Sequence, residues 1–332
     1  MEFYATLGTG CGRRPILREM FHRGMTGARL NLSHTSLLHC RKLLEEEYWP
    51  AAQETGVQAQ LIIDLQGPEL RVGRLAKPLL LEHGMAVVLG EGGIPVPTPV
   101  IAGARPGDQI SLDDSALLLT VTKAETAGLT CRVERGGLLQ SRKSLAILGV
   151  DLDVPALTEE DLANLAQARS CGVTHILQPF VRGKEDVAAL RRAMADYGLE
   201  DVKIMAKIEN HLGLEKLDEI MAAADIICIA RGDLGNNMPL WRLPSVQAEI
   251  AQRCRAARKP FFVVTQLLWS MEHSPVPTRA EVSDIYHAVL QGSSALMLTG
   301  ETAVGDYPVQ AMEYLVNTAR CALEDQEKER AL

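Results

Sequence analysis

The sequence predicts an α/β fold: a (β/α)8 TIM barrel with a small all-β domain inserted after its third strand. Three observations carry that expectation. Eight short apolar runs, each suited to a buried parallel strand, alternate with amphipathic segments of helical spacing. The interval between the third and fourth runs is far too long for an ordinary βα loop, and it is punctuated by Glu91-Gly-Gly93, Ala104-Arg-Pro-Gly-Asp108 and Glu134-Arg-Gly-Gly137. Polar and charged residues gather at the C-terminal ends of the runs, where barrels of this kind hold their chemistry. With 332 residues, 47% of them hydrophobic, the chain is long and apolar enough to bury such a core.

In chain order, the expected barrel strands are 3–8, 28–33 and 60–65, each followed by a segment of helical periodicity except the third. The interval 72–151 is expected to be the inserted domain. Its short strands, 86–89, 109–112, 117–122 and 129–134, have the spacing of a small barrel or sandwich. Helical periodicity returns after Pro155, and five more strands follow at 175–180, 203–208, 225–231, 260–265 and 295–299. Residues 1–71 and 152–332 therefore form the barrel. No internal repeat appears beyond this alternation, and the charged stretch from Glu324 reads as the frayed end of the last helix.

The strand ends carry a specific set of groups. Alternation puts Arg29, Asn31 and Ser33 on one side of the second strand, and Asp64 closes the third beside them. Lys207 and Glu209 share a face at the end of the fifth, where a lysine is costly without an anionic partner. The sixth ends Arg231-Gly232-Asp233-Leu234-Gly235, whose glycines permit close backbone approach to a ligand. Thr265 and Gln266 end the seventh, and Thr299-Gly300-Glu301-Thr302 the eighth. Glu209 and Asp233, carboxylates from adjacent strands, suit Mg²⁺ or Mn²⁺ with positions left open for substrate oxygens. A structural ion network with Arg29, Lys207 or Arg231 is the competing reading.

A net charge of −8 and a pI near 5.6 argue against a phosphate-backbone-binding surface, so no nucleic-acid partner is expected. Seven scattered cysteines, never spaced Cys-x-x-Cys, suggest neither a disulfide framework nor a thiolate zinc site and suit a reducing cytoplasm. No apolar run approaches the ~20 residues that span a bilayer, and the N-terminus lacks a signal pattern, so no membrane partner or standard export is expected. Leu240 and Trp241, outside the barrel strands, suggest a homodimer through barrel helices, although such residues more commonly belong to a core.

At Ala28-Arg-Leu-Asn-Leu-Ser-His34, Ile204-Met-Ala-Lys-Ile-Glu-Asn210, Ala230-Arg-Gly-Asp-Leu-Gly235, Pro277-Thr-Arg-Ala-Glu281 and Thr299-Gly-Glu-Thr-Ala303 the sequence resembles the pyruvate kinase family. Gly67-Pro-Glu69 and Gly305-Asp-Tyr-Pro308 extend the resemblance, which is collinear across nearly the whole chain. It implies phosphoryl transfer between phosphoenolpyruvate and ADP, giving pyruvate and ATP. By position, Glu209 and Asp233 would hold the divalent cation, and Arg29 and Lys207 would neutralise the transferring phosphoryl group. Asn31, Ser33, Asp64 and the Leu65 carbonyl match the family's K⁺ site, with Glu69 where potassium-dependent members carry an acid. Gly232, Asp233 and Thr265 match substrate contacts, and Thr265 also matches the threonine that helps deliver a proton to the enolate carbon. As a strand-end hydroxyl, Thr265 could instead cap the next helix. His34, Arg71 and Lys143 match positions near the nucleotide phosphates, and Asp113-Asp114 the acids of the family's lid.

The resemblance is incomplete at several positions. Gln66 and Val304 stand where the family has lysines, Pro179 where it has a serine, and Gly8-Thr-Gly-Cys-Gly12 replaces its first turn. Asp113-Asp-Ser-Ala116 and Ser141-Arg-Lys-Ser144 depart from its lid signatures. The chain is expected to lack the family's C-terminal regulatory domain. Each missing charge-assisted contact would weaken a phosphate complex by roughly 1.5–3 kcal/mol. Two other readings therefore stand beside the phosphotransferase: a nucleotide-free lyase, decarboxylase or tautomerase of a 2-oxo acid, and a non-catalytic phosphoenolpyruvate-binding barrel.

Overall fold

The computed structural model describes every residue except His34, Asp114, Ser115, Asp151, Asp153, Asn237 and Leu332, together with the side chains of 329–331. The chain divides into two compact units, residues 1–67 with 156–332 and residues 68–155.

The first unit is a closed parallel barrel. Its strands are Glu2–Thr6 (β1), Gly27–Asn31 (β2), Gln60–Asp64 (β3), His175–Gln178 (β4), Lys203–Ile208 (β5), Ile226–Ala230 (β6), Phe261–Val264 (β7) and Ala295–Met297 (β8). Each pairs in parallel with its sequence neighbours, and β8 closes onto β1. Alternation sorts the side chains into two layers. Tyr4, Ile62, Leu177, Met205, Cys228, Phe262 and Met297 fill the lumen. Ala28, Leu30, Leu61, Ile63, Ile176 and Ile204 face the surrounding helices and form the larger core with them. Two residues beyond a lumen position the same face continues upward. Ile62 is thus followed by Asp64 and Met205 by Lys207, so the period of two delivers charged residues to the top of a dry lumen.

All the barrel strands except β5 end one or two residues earlier than the sequence predicts. The chain leaves the ladder at its functional ends. The Asn31 side chain accepts from the Ser33 amide and turns the chain after β2. Phe180, Thr265 and Gln266 have φ of 53°, 82° and 54°, a left-handed backbone that no strand can continue. Arg231, expected in the sixth strand, opens the helix Arg231–Asn236 instead.

The second unit has its own core, centred on Leu89, Ile110, Leu119, Leu129 and Val133. An antiparallel five-stranded sheet runs in the spatial order Leu145–Ile147, Gln109–Leu112, Leu117–Glu125, Gly128–Arg135, Ala86–Gly90. A separate pair joins Leu79–Leu81 to Gly137–Leu139. The four longer strands are those the alternation predicts. The three-residue strands and the helix Thr98–Gly103 are too short to leave a periodic signal.

No helix among the described residues is long and apolar enough to cross a membrane. Leu240 and Trp241 are 70% and 82% exposed, so neither is core.

Candidate active site

Four of the expected site residues converge at the top of the lumen. Arg29 donates through Nε to Asp64 Oδ2 at 2.8 Å, with its Nη2 2.6 Å from the same oxygen. Arg29 Nη1 donates to Thr6 Oγ1 at 3.1 Å, and that hydroxyl donates to the Leu298 carbonyl, so the guanidinium is tied to three strands. Lys207 Nζ lies 2.8 Å from Glu209 Oε1 and 3.6 Å from Asp64 Oδ2. Burial works against the Lys207 charge, but Asp64 and Glu209 more than offset it and hold the ammonium's pKa above the ordinary lysine value. Both side chains are thus largely buried and seated by ion pairs before any ligand arrives.

Glu209 is fully enclosed, and the Phe180 amide donates to its Oε2 at 2.8 Å. Burial, opposed by Lys207 and reinforced by the neighbouring Asp233, pushes its carboxyl up to about 7. With Asp233 near enough to raise Glu209, carboxylates from adjacent strand ends form a donor set whose repulsion a hard divalent cation would relieve. Among the described residues no group of three or more His, Cys, Asp or Glu side chains forms a metal cage. The Glu209–Asp233 pair would therefore hold an ion whose remaining positions fall to water or substrate oxygens. Glu209 does join the ion network that the competing reading expects, whereas Arg231 pairs with Asp284.

The K⁺ set is tested by one orphaned atom. Asp64 Oδ2 serves both Arg29 and Lys207, but Oδ1 is buried and has no hydrogen-bond donor among the described residues. An acceptor so placed suits a monovalent cation, whereas an unsatisfied buried carboxylate oxygen is otherwise costly. Asn31 and Ser33 lie at the end of β2, whose register sets Asn31 opposite Asp64, and Leu65 follows directly. His34 lies outside the described residues. Arg71 and Lys143 belong to the second unit, where Arg71 pairs with Glu69 at 2.7 Å and Lys143 with Asp113 at 2.8 Å.

Thr265 sits beside Gly232. A Cβ on that glycine would come 3.3 Å from the Thr265 methyl and 3.7 Å from its hydroxyl. At a φ of 82°, Thr265 is a β-branched residue in a conformation that costs of order 1–3 kcal/mol and persists only when its surroundings hold it. Arg231 provides that hold: its Nε and Nη2 donate to the Thr265 carbonyl at 3.2 and 2.7 Å, while Nη1 reaches Asp284 at 2.6 Å. The sequence marks Arg231 only as a candidate ion partner and does not single out Thr6. Both act through backbone or hydroxyl oxygens of neighbouring strands that lie far off in the sequence, for which no local pattern exists.

Comparison with known proteins agrees with this geometry. A family model described as pyruvate kinase, barrel domain, matches residues 2–312. The pyruvate kinase of Aeropyrum pernix is 37% identical over 318 residues, covering 95% of this chain and 69% of that protein. That of Methylorubrum extorquens is 40% identical over 322 residues, covering 94% and 66%. A human pyruvate kinase is 36% identical over 337 residues, covering 93% and 57%. The chain thus spans about two thirds of the length of the first two relatives and less of the third. With its eight-stranded barrel, its acidic and basic residues at the strand ends and this extent of identity, the chain belongs to the pyruvate kinase family of phosphotransferases.

Proposed function

We propose that the barrel mouth transfers a phosphoryl group between phosphoenolpyruvate, or a close analogue, and ADP, using Mg²⁺ or Mn²⁺ and K⁺. The observation that carries this reading is the pair of fixed cations, Arg29 and Lys207, sharing Asp64 Oδ2 beside the Glu209–Asp233 carboxylates. Phosphoryl transfer asks little covalent chemistry of a protein and much fixed positive charge against the equatorial oxygens. Arg29 and Lys207 supply that charge without reorganising, because their ion pairs already seat them. Glu209 and Asp233 would hold the divalent ion, and Asn31, Ser33, Asp64 and the Leu65 carbonyl the potassium. When bound, the two ions would add concentrated positive charge for the carboxylate and phosphate oxygens of the enol phosphate. Gly232 lets the backbone approach the substrate closely. The Thr265 hydroxyl, held by Arg231 through its own carbonyl, relays a proton through water to the enolate carbon. Contacts of His34, Arg71 and Lys143 with the nucleotide phosphates belong to the same proposal.

The test is pyruvate release from phosphoenolpyruvate with Mg²⁺, K⁺ and ADP, repeated without ADP, with EDTA and with Glu209→Ala. Release that needs ADP and metal and is lost in the variant supports the reading. Metal-independent release, or an unimpaired variant, removes it.

A second reading, a nucleotide-free enzyme of 2-oxo acids, rests on Pro179 and Val304. Pro179 packs so closely that a Cβ on Gly67 would lie 2.6 Å from it, and Val304 is 62% exposed, so neither offers a phosphate a donor side chain. Oxaloacetate turnover without nucleotide would favour it, and strict dependence on ADP would exclude it.

A further inference from the structure

The turn after β3 is held by a carboxylate nearly a hundred residues away. Asp161, wholly buried, accepts from the Gln66 amide on Oδ1 at 2.9 Å and from the Gly67 amide on Oδ2 at 3.0 Å. Its Oδ2 also accepts from the Thr158 amide at 2.9 Å, completing a capping box on the helix Glu159–Cys171. The cap alone explains the Thr158 contact but neither of the other two.

The peptide between Leu65 and Gln66 is trans, so its carbonyl points opposite to its N–H. A carboxylate that fixes the Gln66 N–H on one side therefore fixes the Leu65 carbonyl on the other. The adjoining residue is Asp64, whose Oδ1 is the orphaned buried acceptor. Gly67 completes the turn at a φ of 59°, where a side chain would be strained and would also strike Pro179.

We propose that Asp161 is a positioning residue for the potassium site, orienting the Leu65 carbonyl toward the cation through the Gln66 and Gly67 amides. The inference rests on the reading that Asp64 and Leu65 bind K⁺. Asp161 itself touches neither cation nor substrate, and its effect is on how well the protein holds potassium. Asp161→Asn keeps the shape but replaces one acceptor with a donor that faces an amide. Asp161→Glu retains a capping-box acid at the same helix position while moving the carboxylate off the turn. Thr158→Val is the control, because it removes the hydroxyl that caps the Asp161 amide and leaves the turn's two bonds in place.

Two quantities are measured for each protein: the rise in thermal midpoint on replacing Na⁺ by K⁺ without substrate, and the K⁺ concentration for half-maximal activity. Both Asp161 variants are expected to lose most of the K⁺-specific stabilisation and to need about tenfold more K⁺, with turnover at saturating K⁺ within about twofold of the parent. Thr158→Val is expected to melt earlier with an unchanged K⁺ response. Equal K⁺ responses in all four proteins would overturn the proposal and leave Asp161 a helix cap. A parent protein with no K⁺ response in either measurement would overturn the potassium reading itself, a failure distinct from that of Asp161.

Discussion

Lys207 and Arg231 do different work with the same charge. Lys207 is set among Asp64, Glu209 and Asp233, so removing it deletes a cation that the proposed phosphoryl transfer would need. Lys207→Ala is expected to lower turnover by about a thousandfold or more while the protein still folds, because Glu209, already pushed up to about 7, can take up a proton in its place. Steady-state rates with a circular-dichroism melt check this, and turnover within about tenfold of the parent would remove the mechanism. Arg231 spends two of its donors on one backbone carbonyl. Arg231→Ala should cost about 1.5–3 kcal/mol of stability and release Thr265 from its left-handed conformation. Substrate protonation should fall more than phosphoenolpyruvate binding, which a comparison of kcat with KM reads directly.

At the scale of elements, the pairing of β2 with β3 sets the site's register. Gly27 faces Gln60 and Asn31 faces Asp64, so the pair carries Arg29 and the residues proposed to hold K⁺ up together. A Cβ on Gly27 would lie 2.6 Å from the Gln60 carbonyl oxygen, which is backbone and cannot swing away. Gly27→Ala is expected to cost about 1–3 kcal/mol by forcing the strands apart, and to weaken K⁺ activation with it. Urea titration and a K⁺ dependence test both. A variant as stable as the parent would mean that the barrel absorbs the methyl elsewhere. Two helix starts are built from local sequence: Thr158 with Asp161 and Thr278 with Glu281 form capping boxes at a three-residue spacing. What that spacing hides is the second partner of each acid, the 66–67 turn for Asp161 and Ser270 for Glu281.

At the scale of the whole molecule, His175 makes stability depend on pH away from the site. Burial, aided by the nearby Lys203, lowers its pKa from 6.5 to about 4. The unfolded chain therefore takes up a proton near pH 6.5 and the folded protein only near pH 4. Stability is lost as pH falls through that window, by up to about 3 kcal/mol from this residue. Urea unfolding at pH 7 and pH 4.5, compared with His175→Gln, should show a smaller acid loss in the variant. Equal losses would place the acid sensitivity in other groups.

The sequence by itself determined the barrel and the insertion, because periodicity of two, apolar run length and turn residues are properties of a few consecutive residues. It also determined which polar side chains stand at the strand ends, since alternation alone carries Arg29, Asp64 and Lys207 to one face of their strands. Only the tertiary structure decided how those groups share partners. That Asp64 gives one oxygen to two cations and keeps the other without a donor among the described residues depends on three strands meeting. That Thr265 is held at a positive φ involves Arg231 reaching its carbonyl from the end of the neighbouring strand. Hydrogen bonds and ion pairs at the site join residues 29 to 64, 66 to 161 and 231 to 265, and no local pattern encodes a contact whose partner is chosen by closure of the barrel.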